Sequence, residues 1–84
     1  MTPGRGSRFR FGDFTLFVEV REEGWIASIR DHTLKAWHWH EAVGGEEEGR
    51  RLAIQTLLQH LPKECQAELQ SVDITWETYG ENAN

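Results

Sequence analysis

From Asp13 to Arg21 apolar and polar residues alternate. Phe14, Leu16, Val18 and Val20 fall on one side, Asp13, Thr15, Glu19 and Arg21 on the other, with Phe17 the single apolar residue on the polar side. A period of two belongs to a strand with one buried face. Trp25-Ile26-Ala27-Ser28-Ile29-Arg30, rich in strand formers, follows after Glu22-Glu23-Gly24. A two-residue Glu23-Gly24 turn, with glycine supplying a positive φ, predicts a hairpin in which Glu22 faces Trp25, Val20 faces Ala27 and Val18 faces Ile29. A slip of one residue would bring Ser28 to the core face, so the two-residue turn is preferred.

A third run, Leu34 to His40, sets Trp37 and Trp39 against His38 and His40. A three-residue connection through Asp31-His32-Thr33 puts both tryptophans on the side of Val18, Val20, Ala27 and Ile29, where burying two indoles is worth several kcal/mol at about 25 cal/mol per Å². Phe17, Glu19, Ile26, Ser28, Arg30, Leu34, Ala36, His38 and His40 then share the opposite face.

Gly44-Gly45 ends the strand and Glu46-Glu47-Glu48 opens a helix, three carboxylates suiting its positive end. Ile54, Leu57, Leu58 and Leu61, extended by Ala53, form one apolar stripe at helical spacing, and Pro62 ends it. Gly49, costly inside a helix, predicts close approach to the sheet. Lys63 to Gln70 continues as a short helical stretch. Ser71 to Tyr79 alternates again, with Val72, Ile74 and Trp76 facing inward. The expected fold is α+β: one domain over 13–79, ordered β-β-β-α-β, a mainly antiparallel sheet with one helix packed on one face. Residues 1–12 are expected to form a flexible basic arm and 80–84 a flexible tail. One helix covers only one face of the sheet, so the other must meet water or a partner.

With 84 residues and a net charge of −5, such a domain buries roughly 60–65% of the surface of its unfolded chain. Arg5, Arg8 and Arg10 occupy the first ten residues without an acid, and the remainder holds six basic against fourteen acidic side chains. That acidic body disfavours nucleic acid as the main ligand, the three arginines being the only segment that suits phosphate. No apolar run approaches the roughly 20 residues that cross a bilayer, and the basic start has no apolar segment behind it. With its lone Cys65 the chain is expected in the cytoplasm, without a disulfide.

His38 and His40, at i and i+2 on a strand, could chelate a metal, but a site needs three or four ligands and only this pair has defensible geometry. Cys65 sits beside Glu64 with no basic partner. Ser28, His38 and Glu19 resemble a triad in composition without an oxyanion donor. Gly44-Gly45 precedes glutamates that repel phosphate. No enzyme and no cofactor is expected.

Gly24-Trp25-Ile26-Ala27-Ser28-Ile29-Arg30-Asp31, together with Glu47-Glu48-Gly49 leading into Ala53, Leu57 and Leu61, resembles the N-terminal domain of the HicB-like antitoxin family. The resemblance runs from about Phe14 to Thr78. His32-Thr33-Leu34 stands where that family has a proline-and-glycine turn, Gly45 where it has a Thr or Ser cap, and nothing after Tyr79 matches its DNA-binding segment. The resemblance implies a partial ribonuclease-H-like fold without catalytic carboxylates, oligomerisation, and binding to a small basic toxin protein. The expected function is thus a non-enzymatic protein-interaction module, a dimer or higher oligomer, whose acidic surface meets itself or a small basic protein. Phe17, Ile26, Arg30, His38 and His40 form the expected interaction surface. The alternative is a small ligand- or metal-binding domain centred on His38 and His40.

Overall fold

A computed structural model of the chain describes residues 5–80. Its elements are β1 (Gly6–Phe11), β2 (Phe14–Arg21), β3 (Gly24–Asp31), β4 (Ala36–Val43), α1 (Glu46–His60), α2 (Lys63–Ser71) and β5 (Glu77–Tyr79). The strands form one sheet in the order β4-β3-β2-β1-β5, every neighbouring pair antiparallel. The α+β class therefore stands, but the order is four strands, two helices and a strand instead of β-β-β-α-β.

The additional strand lies in the supposed arm. Residues 1–4 are outside the described residues, as are 81–84 of the expected tail. Gly6–Phe11, however, pairs with β2 along its whole length, from Gly6↔Glu19 to Phe11↔Phe14, around a Gly12-Asp13 turn in which Gly12 takes φ +59°. Ser7, Phe9 and Phe11 join the core face, while Arg8 and Arg10 alternate onto the other. Ser7 is fully buried at the start of α1, where its hydroxyl donates to the Glu46 carboxylate and accepts from the Arg50 guanidinium at 2.7 Å.

The β2–β3 hairpin differs from expectation by one residue on each strand. Glu22 and Glu23 make the turn, Arg21 pairs with Gly24, Val20 with Trp25, Val18 with Ala27 and Leu16 with Ile29. Gly24 takes φ +121° after the turn instead of within it, absorbing the mismatch between an ordinary turn and the strand twist. Because each strand moves by one position in opposite senses, every side chain keeps its predicted face.

The β3–β4 connection is a four-residue turn, His32–Lys35, held by the buried Asp31 carboxylate, which accepts from the backbone N–H groups of Thr33 (2.9 Å) and Leu34 (3.1 Å). Lys35 takes φ 54° to complete it. Leu34, predicted in the strand, lies in this turn and is exposed.

β1 to β4 run as a meander, and the chain must then cross the sheet to place β5 beside β1. The helices make that crossing over one face only. Ala53 and Leu57 from α1, Leu61 just after it and Leu69 from α2 pack with Phe9, Leu16 and Ile29 from the sheet, with Phe11, Phe14, Trp39 and Trp76 at the margin. The Ser71–Tyr79 run is mostly not strand. Only Glu77–Tyr79 pairs, with Gly6–Arg8, and Val72 and Ile74 are exposed instead of facing inward. Trp76 does turn in, its ring 5.8 Å from Phe9.

Gly49 is buried over Val18, and a Cβ built there would lie 2.6 Å from Val18 Cγ1 and 3.1 Å from Val43 Cγ2. Gly49→Ala is expected to lower stability by about 1–2 kcal/mol, overpacking outweighing the better helix propensity of alanine. Val18→Ala in the same chain should cost less than it does alone. Urea unfolding of the two single variants and the double variant checks this, and simple additivity would show that the helix is free to move away.

Candidate interaction surface

The face opposite the helices carries no layer of structure among the described residues. Cross-strand register orders its side chains into rows: Glu77, Arg8, Phe17, Ser28 and His40 in one, Arg10, Thr15, Arg30 and Trp37 in the next. A third row runs through Tyr79, Gly6, Glu19, Ile26 and Ala42.

Three of the five predicted surface residues, Phe17, Ile26 and Arg30, meet on this face. His40 joins them from β4, opposite Ser28. His38 does not. Ile29 pairs with Trp39 but Arg30 pairs with Trp37, so His38 is the extra residue of a β-bulge, and the alternation reverses across it. His38 therefore turns to the helix side, with its ring centroid 3.9 Å from that of His60 and 6.3 Å from that of Phe14. The His38/His40 pair, whose shared face was the basis of the metal reading, is split by the sheet. No group of three or more potential ligands gathers among the described residues.

The same bulge sends Trp37 to the open face instead of the core. Its ring meets Phe17 edge-on at 5.7 Å, and the Arg30 guanidinium lies 5.3 Å from its centroid. Trp37 remains 53% exposed. The three side chains make a ridge across the middle of the face. On one side is a concavity of about 540 Å³ lined by Arg8, Arg10, Thr15, His32 and Glu77, among others. On the other is a smaller one of about 270 Å³, lined by Arg21, Ile26, Ser28, Trp37 and His40. His32 is placed by a 2.7 Å hydrogen bond between its Nε2 and the Thr15 hydroxyl.

Charge divides differently from the sequence expectation of an arm and a body. Arg8, Arg10, Arg21 and Arg30 lie on the open face, against Glu19 and Glu77. Arg8 pairs with Glu77 (2.9 Å) and Arg21 with Glu19 (2.7 Å). Arg10 bonds the Gly12 carbonyl oxygen, at 2.8 Å, and Arg30 is engaged by the indole, and among the described residues neither has a carboxylate partner. Six acidic residues gather at one end of the sheet. The β2–β3 turn, the end of β4 and the start of α1 share one end of the sheet, bringing Glu22, Glu23, Glu41, Glu46, Glu47 and Glu48 to that end. Arg5, the third arginine of the supposed arm, lies beside Trp25 at the same end, 5.7 Å from its ring.

Tyr79 closes the border of the face, its hydroxyl donating to Glu19 Oε2 across Gly6. Burial, together with this bond to Glu19, pushes the Tyr79 phenol well above its ordinary value. Burial alone would raise the Glu19 carboxyl, but the bonds from Arg21 and Tyr79 outweigh it and hold it below the ordinary value. Cys65 is half-buried against the core, as a structural thiol.

No family model, no curated protein and no solved structure matches the chain. Among the described residues no helix is long and apolar enough to cross a membrane.

The Glu19 network gives a pH prediction. A carboxyl depressed in the folded state contributes stability above its unfolded pKa, about 4.3 for Glu, and loses it as pH falls through the folded value. Glu19→Gln should therefore lower the urea midpoint at pH 7 and bring it together with wild type near pH 3. Equal midpoints at pH 7 would show the network to be energetically neutral.

Proposed function

We propose that this chain is a non-enzymatic interaction module that works through the uncovered face of its sheet. The observation that carries the reading is the Phe17–Trp37–Arg30 ridge. A large indole is held more than half exposed on a domain whose core is thin enough to use every aromatic it can bury. Phe17, Ile26, Arg30 and His40 frame that ridge, and another macromolecule or a second copy of the chain covers it. His38 has no part in this surface.

A second reading, the small basic protein partner implied by the HicB-like resemblance, is favoured by a separate observation. Such a partner is repelled by the four arginines of the open face. It suits the end where Glu22, Glu23, Glu41, Glu47 and Glu48 gather, and electrostatic steering there would speed encounter and make it salt-dependent.

Ile26→Asp and Trp37→Ala test the open face. Both side chains lie off the helix-covered core, so melting temperatures are expected within a few degrees of wild type. Association, read as solution mass by light scattering and as partners retained from the native host, is expected to be lost. If wild type is a strict monomer without partners and both variants behave identically, the face is only a solvated surface and the reading fails.

A further inference from the structure

We infer that the open face binds single-stranded nucleic acid, an inference that rests on the reading of that face as the binding surface. Three observations point the same way. The exposed Trp37 ring and the half-buried Phe17 ring are interleaved with cations: Arg30 lies over Trp37, Arg8 is the register partner of Phe17, and Arg10 lies in the row of Arg30 and Trp37. An extended strand presents the same alternation, flat bases for the rings and phosphates for the guanidinium groups, and stacking needs no particular base. Two of these arginines, Arg10 and Arg30, have no carboxylate partner among the described residues. The third observation is shape. A concavity flanks the ridge on each side, so a chain crossing the ridge passes from the cup lined by Arg10, His32 and the Arg8–Glu77 pair to the one lined by Arg21, Ser28 and His40.

The same facts select among anionic partners. A duplex hides its base faces in the stack and cannot meet an aromatic ridge on a sheet. A folded protein needs a contiguous apolar centre from which charges are largely absent. Here the one aromatic contact, Phe17 with Trp37, is flanked by Arg8 and Arg30, so charge lies at the centre of the patch. The net charge of −5 does not forbid a polyanion. Six of its fourteen carboxylates collect at one end of the molecule, and a Debye length of about 8 Å at physiological salt screens them from the Arg10 end of the face, where Asp13 lies in the turn and the Asp31 carboxylate is buried against the Thr33 and Leu34 backbone N–H groups. The acidic end then works as a boundary that biases the strand toward the Arg10, Arg30 and His32 end.

The test is fluorescence anisotropy of a labelled mixed-sequence single-stranded RNA of about 12 nucleotides with the full chain, starting near 50 mM salt. Binding is expected with quenching of tryptophan emission. With Arg10 and Arg30 engaged, the log–log salt slope should be about −1.4, falling by about 0.7 in Arg10→Ala. Trp37→Ala should weaken binding about tenfold or more, and Trp37→Phe should restore most of it, which a merely structural role would not do. Melting curves identify any variant that fails to fold, and Arg10→Ala, on an exposed side chain, keeps the test valid if Trp37→Ala does fail. The inference is overturned if no anisotropy change occurs up to about 100 μM protein, the weak limit of non-specific affinity even at physiological salt. It is also overturned if Arg10→Ala and Trp37→Phe/Ala bind as wild type, if duplex RNA binds equally well, or if polyglutamate displaces the strand as well as unlabelled RNA does. Should RNA not bind while Ile26→Asp still abolishes association, the nucleic-acid inference falls and the interaction-module reading remains.

Discussion

The contact of Gly49 with Val18 sets how near α1 lies to the sheet, and the rest of the architecture is arranged around that spacing. With no side chain on the helix at this point, Ala53 and Leu57 in the following turns reach Leu16 and Ile29, and Ser7 can meet both Glu46 and Arg50 beneath the first turn. A wider separation would strand that polar cluster without its partners, at a cost of order 1–3 kcal/mol for each unsatisfied buried group. The helix layer is thus fixed tightly on one side of the sheet. Because the chain spends its helices there, the opposite side is finished only by side chains.

Those side chains carry the functional argument, and they owe their arrangement to one irregularity. Without the bulge at His38, Trp37 would follow the parity of Trp39 and enter the core, and the open face would hold two histidines in place of an exposed indole. With it, one strand supplies the core with Trp39, the helix side with His38 and the open face with Trp37 and His40. A single inserted residue at the sheet edge thereby separates residues that strict alternation would pair, and joins Trp37 to Phe17 and Arg30.

The sequence made visible whatever repeats. The helix stripe of Ala53, Leu57 and Leu61 and the alternation of Leu16, Val18, Ala27 and Ile29 are periodic signals long enough to survive a two-residue register difference in the hairpin. That difference is harmless because an even shift leaves every side chain on its own face. β1 was legible too, in Ser7-Arg8-Phe9-Arg10-Phe11 followed by Gly12-Asp13, but its outward arginines read as a charge cluster before they read as alternation. The bulge was not legible, since no residue type marks it. It arises from fitting a four-residue turn to the pairing of β3 with β4. Nor could composition reveal how charge divides by face, because an arginine counted in a terminal segment carries no direction until its strand has a neighbour. The Val72–Trp76 segment misled for a related reason: its alternating residues have no strand beside them, so only Trp76 finds the core.

β1 lies between β2 and β5, and Gly6 is register partner to both Glu19 and Tyr79. The described chain therefore enters and leaves the domain side by side. Such a unit can be carried as an insertion within a loop of another protein without separating the loop's two ends, and a new pair of termini opened at the Gly12-Asp13 turn would leave the meander of β2, β3 and β4 intact. The geometry that joins the first strand to the last makes the domain a self-closing cassette.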